Sequence, residues 1–388
     1  MSPSEPTTET SAAAGPSTKP SPPTSIQLKE DSWSSFGHFL IAKVFAKNDH
    51  DQLGHEGSAT LFHPENGEID LDAKALLPDA DVTYERYASS GPTENPYIAG
   101  IFKVRVPSHD LEPEATVVYA AQIDPATITI RKKAEVGRYG DGQSAPSIGA
   151  LVGTPGDVVA WSADGTASAY DFATTKLAWS RPGNLTNSTF GSGGAVLDIE
   201  STAKAGGVGC PHTAIVDVVT GSDIFDADTF AMKVDEHYCG RLKDTVFPTV
   251  GLVALLYNPE NKAGANYYRP AAGYDFVHRQ NLVVGPSTDY ADERSTLVGV
   301  KPEEGENAFE VRDSLTGNLV YAMAREKADA LNFRVVNLFD KQLFVETTDE
   351  KLVVDATNGQ TVSKDWGAIP TAVADSWVLY SDGKFVRQ

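Results

Sequence analysis

Cysteine is nearly missing from this chain, with two residues, Cys210 and Cys239, among 388. That scarcity excludes a small disulfide-stapled framework, so the fold must rest on burial. Basic residues are also few, 32 against 53 acidic ones, giving a formal net charge of −21. Nucleic acids and anionic membranes call for a basic face that neutralises phosphate, and no Lys/Arg cluster of that extent occurs. Apolar windows such as Phe39 to Ala46 and Val250 to Tyr257 fall well short of the roughly 18 residues a spanning helix needs. They read as buried strands. No basic-then-apolar leader opens the chain. No Gly-x-Ser-x-Gly elbow, P-loop or dinucleotide fingerprint stands between a strand and a helix. Gly191-Ser192-Gly193-Gly194 reads as a turn between strands.

What the chain does have is repetition. The clearest unit runs Val158-Val159-Ala160-Trp161-Ser162, turns at Ala163-Asp164-Gly165, and continues through Thr166 to Tyr170. It then turns again at Asp171-Phe172-Ala173-Thr174-Thr175 and ends on Lys176 to Ser180. Short β-rich runs parted by such turns mark hairpins. The element Asp-x-x-Thr-Gly returns in full at Asp217 to Thr220-Gly221 and at Asp313 to Thr316-Gly317, and as Asn-Gly after Asp355, ending in Gly359. Asp124 and Asp171 open versions without the glycine. Asp275 and His63 open weaker ones. The Asp carboxylate can accept from backbone N–H groups two residues on, and the glycine supplies a positive φ. These residues are therefore structural.

Anchors at 63, 124, 171, 217, 275, 313 and 355 lie 61, 47, 46, 58, 38 and 42 residues apart. A four-stranded propeller blade occupies about 40–50 residues, so seven units predict an all-β, seven-bladed propeller of antiparallel four-stranded blades. Ser376 to Arg387 repeats the first half of a unit, and Gly57 to Leu71 supplies a second half. The two chain ends are thus expected to share one blade and remove exposed sheet edges. Of the first 25 residues, 20 are Pro, Ser, Thr or Ala, too little apolar surface to fold. Residues 1–30 are expected to be a disordered spacer, and 31–388 a single propeller domain. A spacer of this kind suggests an extracytoplasmic domain, secreted or held at the cell surface by an anchor outside this sequence. If the sequence is complete as it stands, the cytoplasm is expected instead.

The units resemble the PQQ-like propeller repeat, in which Asp-x-x-Thr-Gly precedes an apolar strand often carrying Trp; Leu177-Ala178-Trp179, Leu319-Val320-Tyr321 and Val362 to Trp366 follow in that manner. The resemblance spans about residues 57 to 388. It implies either a quinoprotein dehydrogenase or a non-enzymatic member similar to the outer-membrane assembly propeller lipoprotein. The dehydrogenases typically use an adjacent cysteine pair over the cofactor, whereas Cys210 and Cys239 are 29 residues apart. The expectation is therefore a non-catalytic protein-binding or scaffolding module of the cell envelope, with no cofactor. An enzyme using the central funnel and a ligand-sensing domain of a membrane signalling protein are the alternatives.

One compact constellation remains, Cys210-Pro211-His212 with His237-Tyr238-Cys239. The two cysteines would pair as a disulfide in an oxidising compartment, remain free buried thiols, or join His212 and His237 as tetrahedral metal ligands. His38, His50, His55 and His109 sit in polar, loop-like sequence without ligand spacing. Tyr267, Tyr268 and Arg269 fall in an apparent insertion, Asn258 to Gly273. They are the candidate partner contact, because Tyr and Arg are enriched where binding energy concentrates.

Overall fold

The computed structural model describes residues 24–29, 32–42, 54–108, 113–140, 143–144, 146–189, 194–199, 212–226, 244–247, 252–257, 264–268, 281–282, 290–292, 294–302, 305–313 and 318–388. The described strands form eight antiparallel sheets, named here blades one to eight. Blade one comprises Trp33–Phe36, Phe39–Ala42, Ala59–His63 and Gly67–Leu71. Blade two, the largest, has Asp81–Ser90, Tyr97–Val106, Ala115–Asp124 and Thr129–Gly140, with the short strand Gly54–Glu56 on its inner edge. Blade three is Ile148–Gly153, Val158–Ala163, Thr166–Asp171 and Lys176–Pro182. Blade four is Asn184–Thr189, Gly194–Ile199, His212–Asp217 and Asp223–Asp226. Blade five is Asp244–Phe247, Leu252–Tyr257, Gly264–Tyr268 and Asn281–Leu282.

Blade six is Tyr290–Ala291, Leu297–Val300, Asn307–Asp313 and Leu319–Ala324. The short helix Arg325–Leu331 leads to blade seven, which is Arg334–Phe339, Gln342–Glu346, Lys351–Asp355 and Thr361–Ser363. Blade eight takes Pro370–Ala374, Trp377–Tyr380 and Lys384–Arg387 from the C-terminus and Ser25–Gln27 from the N-terminus. No helix among the described residues is long and apolar enough to cross a membrane.

The count of sheets differs from seven for a topological reason. Six of the seven anchors lie where a third strand gives way to a fourth, and Asp275 lies outside the described residues. Blade eight has no such connection, because its third and fourth strands come from opposite ends of the chain, so no turn motif marks it. The ends do share a blade, as Ser25↔Val386 and Gln27↔Lys384 show. The closing strand, however, comes from Ser25–Gln27, inside the stretch read as spacer. Gly67–Leu71 instead pairs with Ala59–His63 in blade one.

Cores lie between blades. Ile41, Leu61 and Ile69 of blade one meet Tyr87, Phe102 and Ile123 of blade two. Leu151, Val159 and Trp161 of blade three meet Ile101 and Ala120 of blade two. Corresponding clusters join blades three to four, six to seven, seven to eight and eight to one. This sandwiching explains why Val158-Val159-Ala160-Trp161 is buried without a break: a middle strand has protein on both faces. Lys176–Pro182, the outermost strand, is mostly exposed.

Candidate functional site

In a four-stranded meander the first and third turns fall at the same end. Among the described residues the Asp-led turns therefore share one face of the disc with the turns that join first and second strands. The Asp-led turns are built as their sequence dictates. Asp217 Oδ1 accepts from the Val219 N–H at 3.0 Å and the Thr220 N–H at 2.7 Å, and the Gly221 N–H donates back to the Asp217 carbonyl at 2.7 Å. Asp355 Oδ1 likewise accepts from the Thr357 N–H and hydroxyl, at 2.7 and 2.6 Å, with Gly359 at φ +75°. Asp171 accepts from the Ala173 N–H and the Thr174 hydroxyl. Asp313 ends its strand in blade six, while Thr316 and Gly317 lie outside the described residues.

At Asp355, Asp124 and Asp171 such bonds favour the charged form. Hydrogen bonds from Thr357 keep Asp355 below the usual carboxylate range. The Arg131 guanidinium does the same for Asp124, 2.7 Å away, despite some burial. Burial works against ionisation at Asp171, but bonds from Thr174 and Ala173 outweigh it.

The turns joining first and second strands link blade to blade. Ser90 and Gly91 of blade two bond Thr154 of blade three, through Ser90 Oγ to the Thr154 carbonyl at 2.9 Å and the Gly91 N–H to the same oxygen at 2.7 Å. Tyr97, buried in the same cluster, donates to the Gly156 carbonyl at 2.9 Å, and burial pushes its phenol up to about 12. Asp292 of blade six is wholly buried and accepts from the Asp340 and Lys341 N–H groups of blade seven, at 2.7 and 2.6 Å. His38 of blade one reaches both neighbours. Its ring contacts Asp375 of blade eight and the Gly91 carbonyl of blade two, and its N–H donates to Ser89 Oγ at 3.0 Å. Sequence reasoning missed this histidine, because its partner Asp375 is 337 residues away.

The sequence-derived candidates fare differently. Cys210, His237, Cys239 and Arg269 lie outside the described residues, and His212 opens the third strand of blade four. Tyr267 and Tyr268 are not in an inserted loop. They end the strand Gly264–Tyr268, opposite Ala254 and Val253.

No family model matches the chain, and no curated protein matches it. Among solved structures it is similar to Sqt1 from Saccharomyces cerevisiae, at 12% identity over 94% of this chain and 98% of that one, with a TM-score of 0.40. It is similar also to Hsv2p from Kluyveromyces lactis, at 12% identity over 76% and 88%, with a TM-score of 0.35. These overlaps are too loose to bear on function, and the assignment as a β-propeller rests on the sheet order and interblade cores described above.

Proposed function

We propose that this chain is a non-catalytic β-propeller of the PQQ-like repeat kind that binds a protein partner, exported or held at the cell envelope. One observation carries the reading. Five carboxylates of the turn face, Asp124, Asp171, Asp217, Asp292 and Asp355, are each taken up as acceptors for neighbouring N–H or O–H groups. Catalytic acids and bases are instead groups poised to exchange a proton with a substrate. The acidic shell, at −21, favours solubility and steers a cationic partner. Export agrees with the spacer-like tail, and a Cys210–Cys239 disulfide would agree with an oxidising compartment.

The experiment is a crosslinked pull-down with the full chain from the envelope fraction, with absorbance and turnover assays on the purified protein. A specific protein partner and no turnover are expected. Co-purification of a redox cofactor together with oxidation of an alcohol or sugar would sink the reading. The disulfide is checked separately by thiol labelling without reductant; ready labelling of both cysteines removes that support for export.

A further inference from the structure

The His38 ring stands between two acceptors. Nδ1 is 2.7 Å from Asp375 Oδ1, and Nε2 is 2.8 Å from the Gly91 carbonyl oxygen. A neutral imidazole has a single N–H, so it can satisfy one of these and must turn a nitrogen lone pair toward the other oxygen. A doubly protonated ring donates to both. We infer that His38 is held as an imidazolium and acts as a proton-dependent clasp across blades eight, one and two, beside the blade where the two chain ends meet.

The surroundings support a clasp over an incidental surface pair. His38 follows Gly37 at φ +63°, and Asp375 sits at φ +50°, so both side chains are presented by tight turns. Their side chains are only 18% and 19% exposed, which limits the solvent screening that weakens surface pairs. The His38 backbone N–H is bonded to Ser89 Oγ whatever the ring's charge, so titration loosens the ring contacts without releasing the turn. The charged and titratable groups facing the ring are Asp375 and, beyond it, His63 with Glu65 beside it. Burial alone would lower the His38 pKa, but the hydrogen bond and charge of Asp375 more than offset it, and the value stands raised. Burial lowers that of His63, so the neighbour takes up a proton less readily than His38.

The sign follows. A histidine raised above its ordinary 6.5 contributes its full stabilisation below 6.5 and loses it as pH rises through the folded value. His63, lowered, contributes stabilisation above 6.5 and loses it as pH falls through its folded value. The clasp therefore tightens in mildly acidic surroundings and slackens in mildly alkaline ones.

The test is a titration of the full chain labelled with ¹⁵N-histidine, with His38→Gln assigning the resonance. Imidazolium shifts at both His38 nitrogens at about pH 6, with a midpoint above the ordinary histidine value, are expected. A neutral tautomer at about pH 6 overturns the inference. Asp375→Asn should lower that midpoint in a chain that still folds, and an unchanged midpoint also overturns it. In thermal melts, the deficit of His38→Gln relative to the native chain should be at least twofold larger at about pH 6 than at about pH 9. A deficit independent of pH overturns the clasp. His63→Gln, the control, should move the pH profile the opposite way.

Discussion

Trp179 of blade three lies so close against Gly221 of blade four that a Cβ built on the glycine would fall 2.6 Å from the indole Cδ2. The indole N–H donates to the Val218 carbonyl of the same turn at 2.8 Å. Tyr321 of blade six stands in the same relation to Gly359 of blade seven. The glycine of the repeat thus has two tasks. It supplies the positive φ of its own turn, and it leaves room for an aromatic ring from the blade before. Gly221→Ala should cost about 2–4 kcal/mol, the sum of a left-handed backbone and a displaced ring. The loss is read as a lower urea midpoint. Pairing it with Trp179→Ala should cost clearly less than the two single changes added, since the second removes what the first strikes.

Two turns lack the glycine, and Ile128 and Thr175 stand at positive φ in its place, at 53° and 58°. Left-handed backbone is unfavourable for a β-branched residue by about 1–2 kcal/mol. Thr175 is exposed, so Thr175→Gly should raise stability by about 0.5–1 kcal/mol after the added freedom of the unfolded chain is subtracted. Ile128 packs against the core between blades one and two, and Ile128→Gly should lower stability. Chemical denaturation of both variants checks the pair, and a destabilised Thr175→Gly would contradict the strain.

Asp292 is a buried carboxylate that joins blades six and seven through backbone N–H groups. Asp292→Ala leaves the Arg294, Asp340 and Lys341 N–H groups without that acceptor. Loss of about 1–3 kcal/mol is expected, since a part-buried donor left without its acceptor costs about that much. A thermal midpoint within a degree or two of the native chain would show that water replaces the carboxylate.

The boundary of the tail is open to truncation. A chain beginning at Thr24 should melt with the full protein. One beginning at Lys29 loses the pairing of Ser25, Ile26 and Gln27 with Lys384, Phe385 and Val386. It should unfold at lower urea and aggregate faster, because the edge of Lys384–Arg387 is bared.

The Asp-led turns were legible because their chemistry is local: an acceptor, its donors two and three residues on, and a glycine lie within five positions of sequence. The strands were legible from the same cause, as at Val158 to Trp161. The eighth sheet was hidden because the third and fourth strands of blade eight come from opposite ends of the chain and no turn joins them. Ser25-Ile26-Gln27 was hidden because a three-residue strand at the end of a Pro- and Ser-rich stretch has no pattern of its own and is a strand only through its partner. His38 was hidden for a related reason. Nothing around it in sequence marks it, and its surroundings are assembled from turns of three blades.

The shared blade also orders events in time. As the chain is synthesised, Ser25–Gln27 emerges first and its partner Lys384–Arg387 last, so this strand waits through the formation of every other blade. Until that pairing forms, the edge of Lys384–Arg387 stands bare. Ring closure is thus the last pairing open to the described strands, and a chain stopped short of it presents the edge that aggregation and quality control both read.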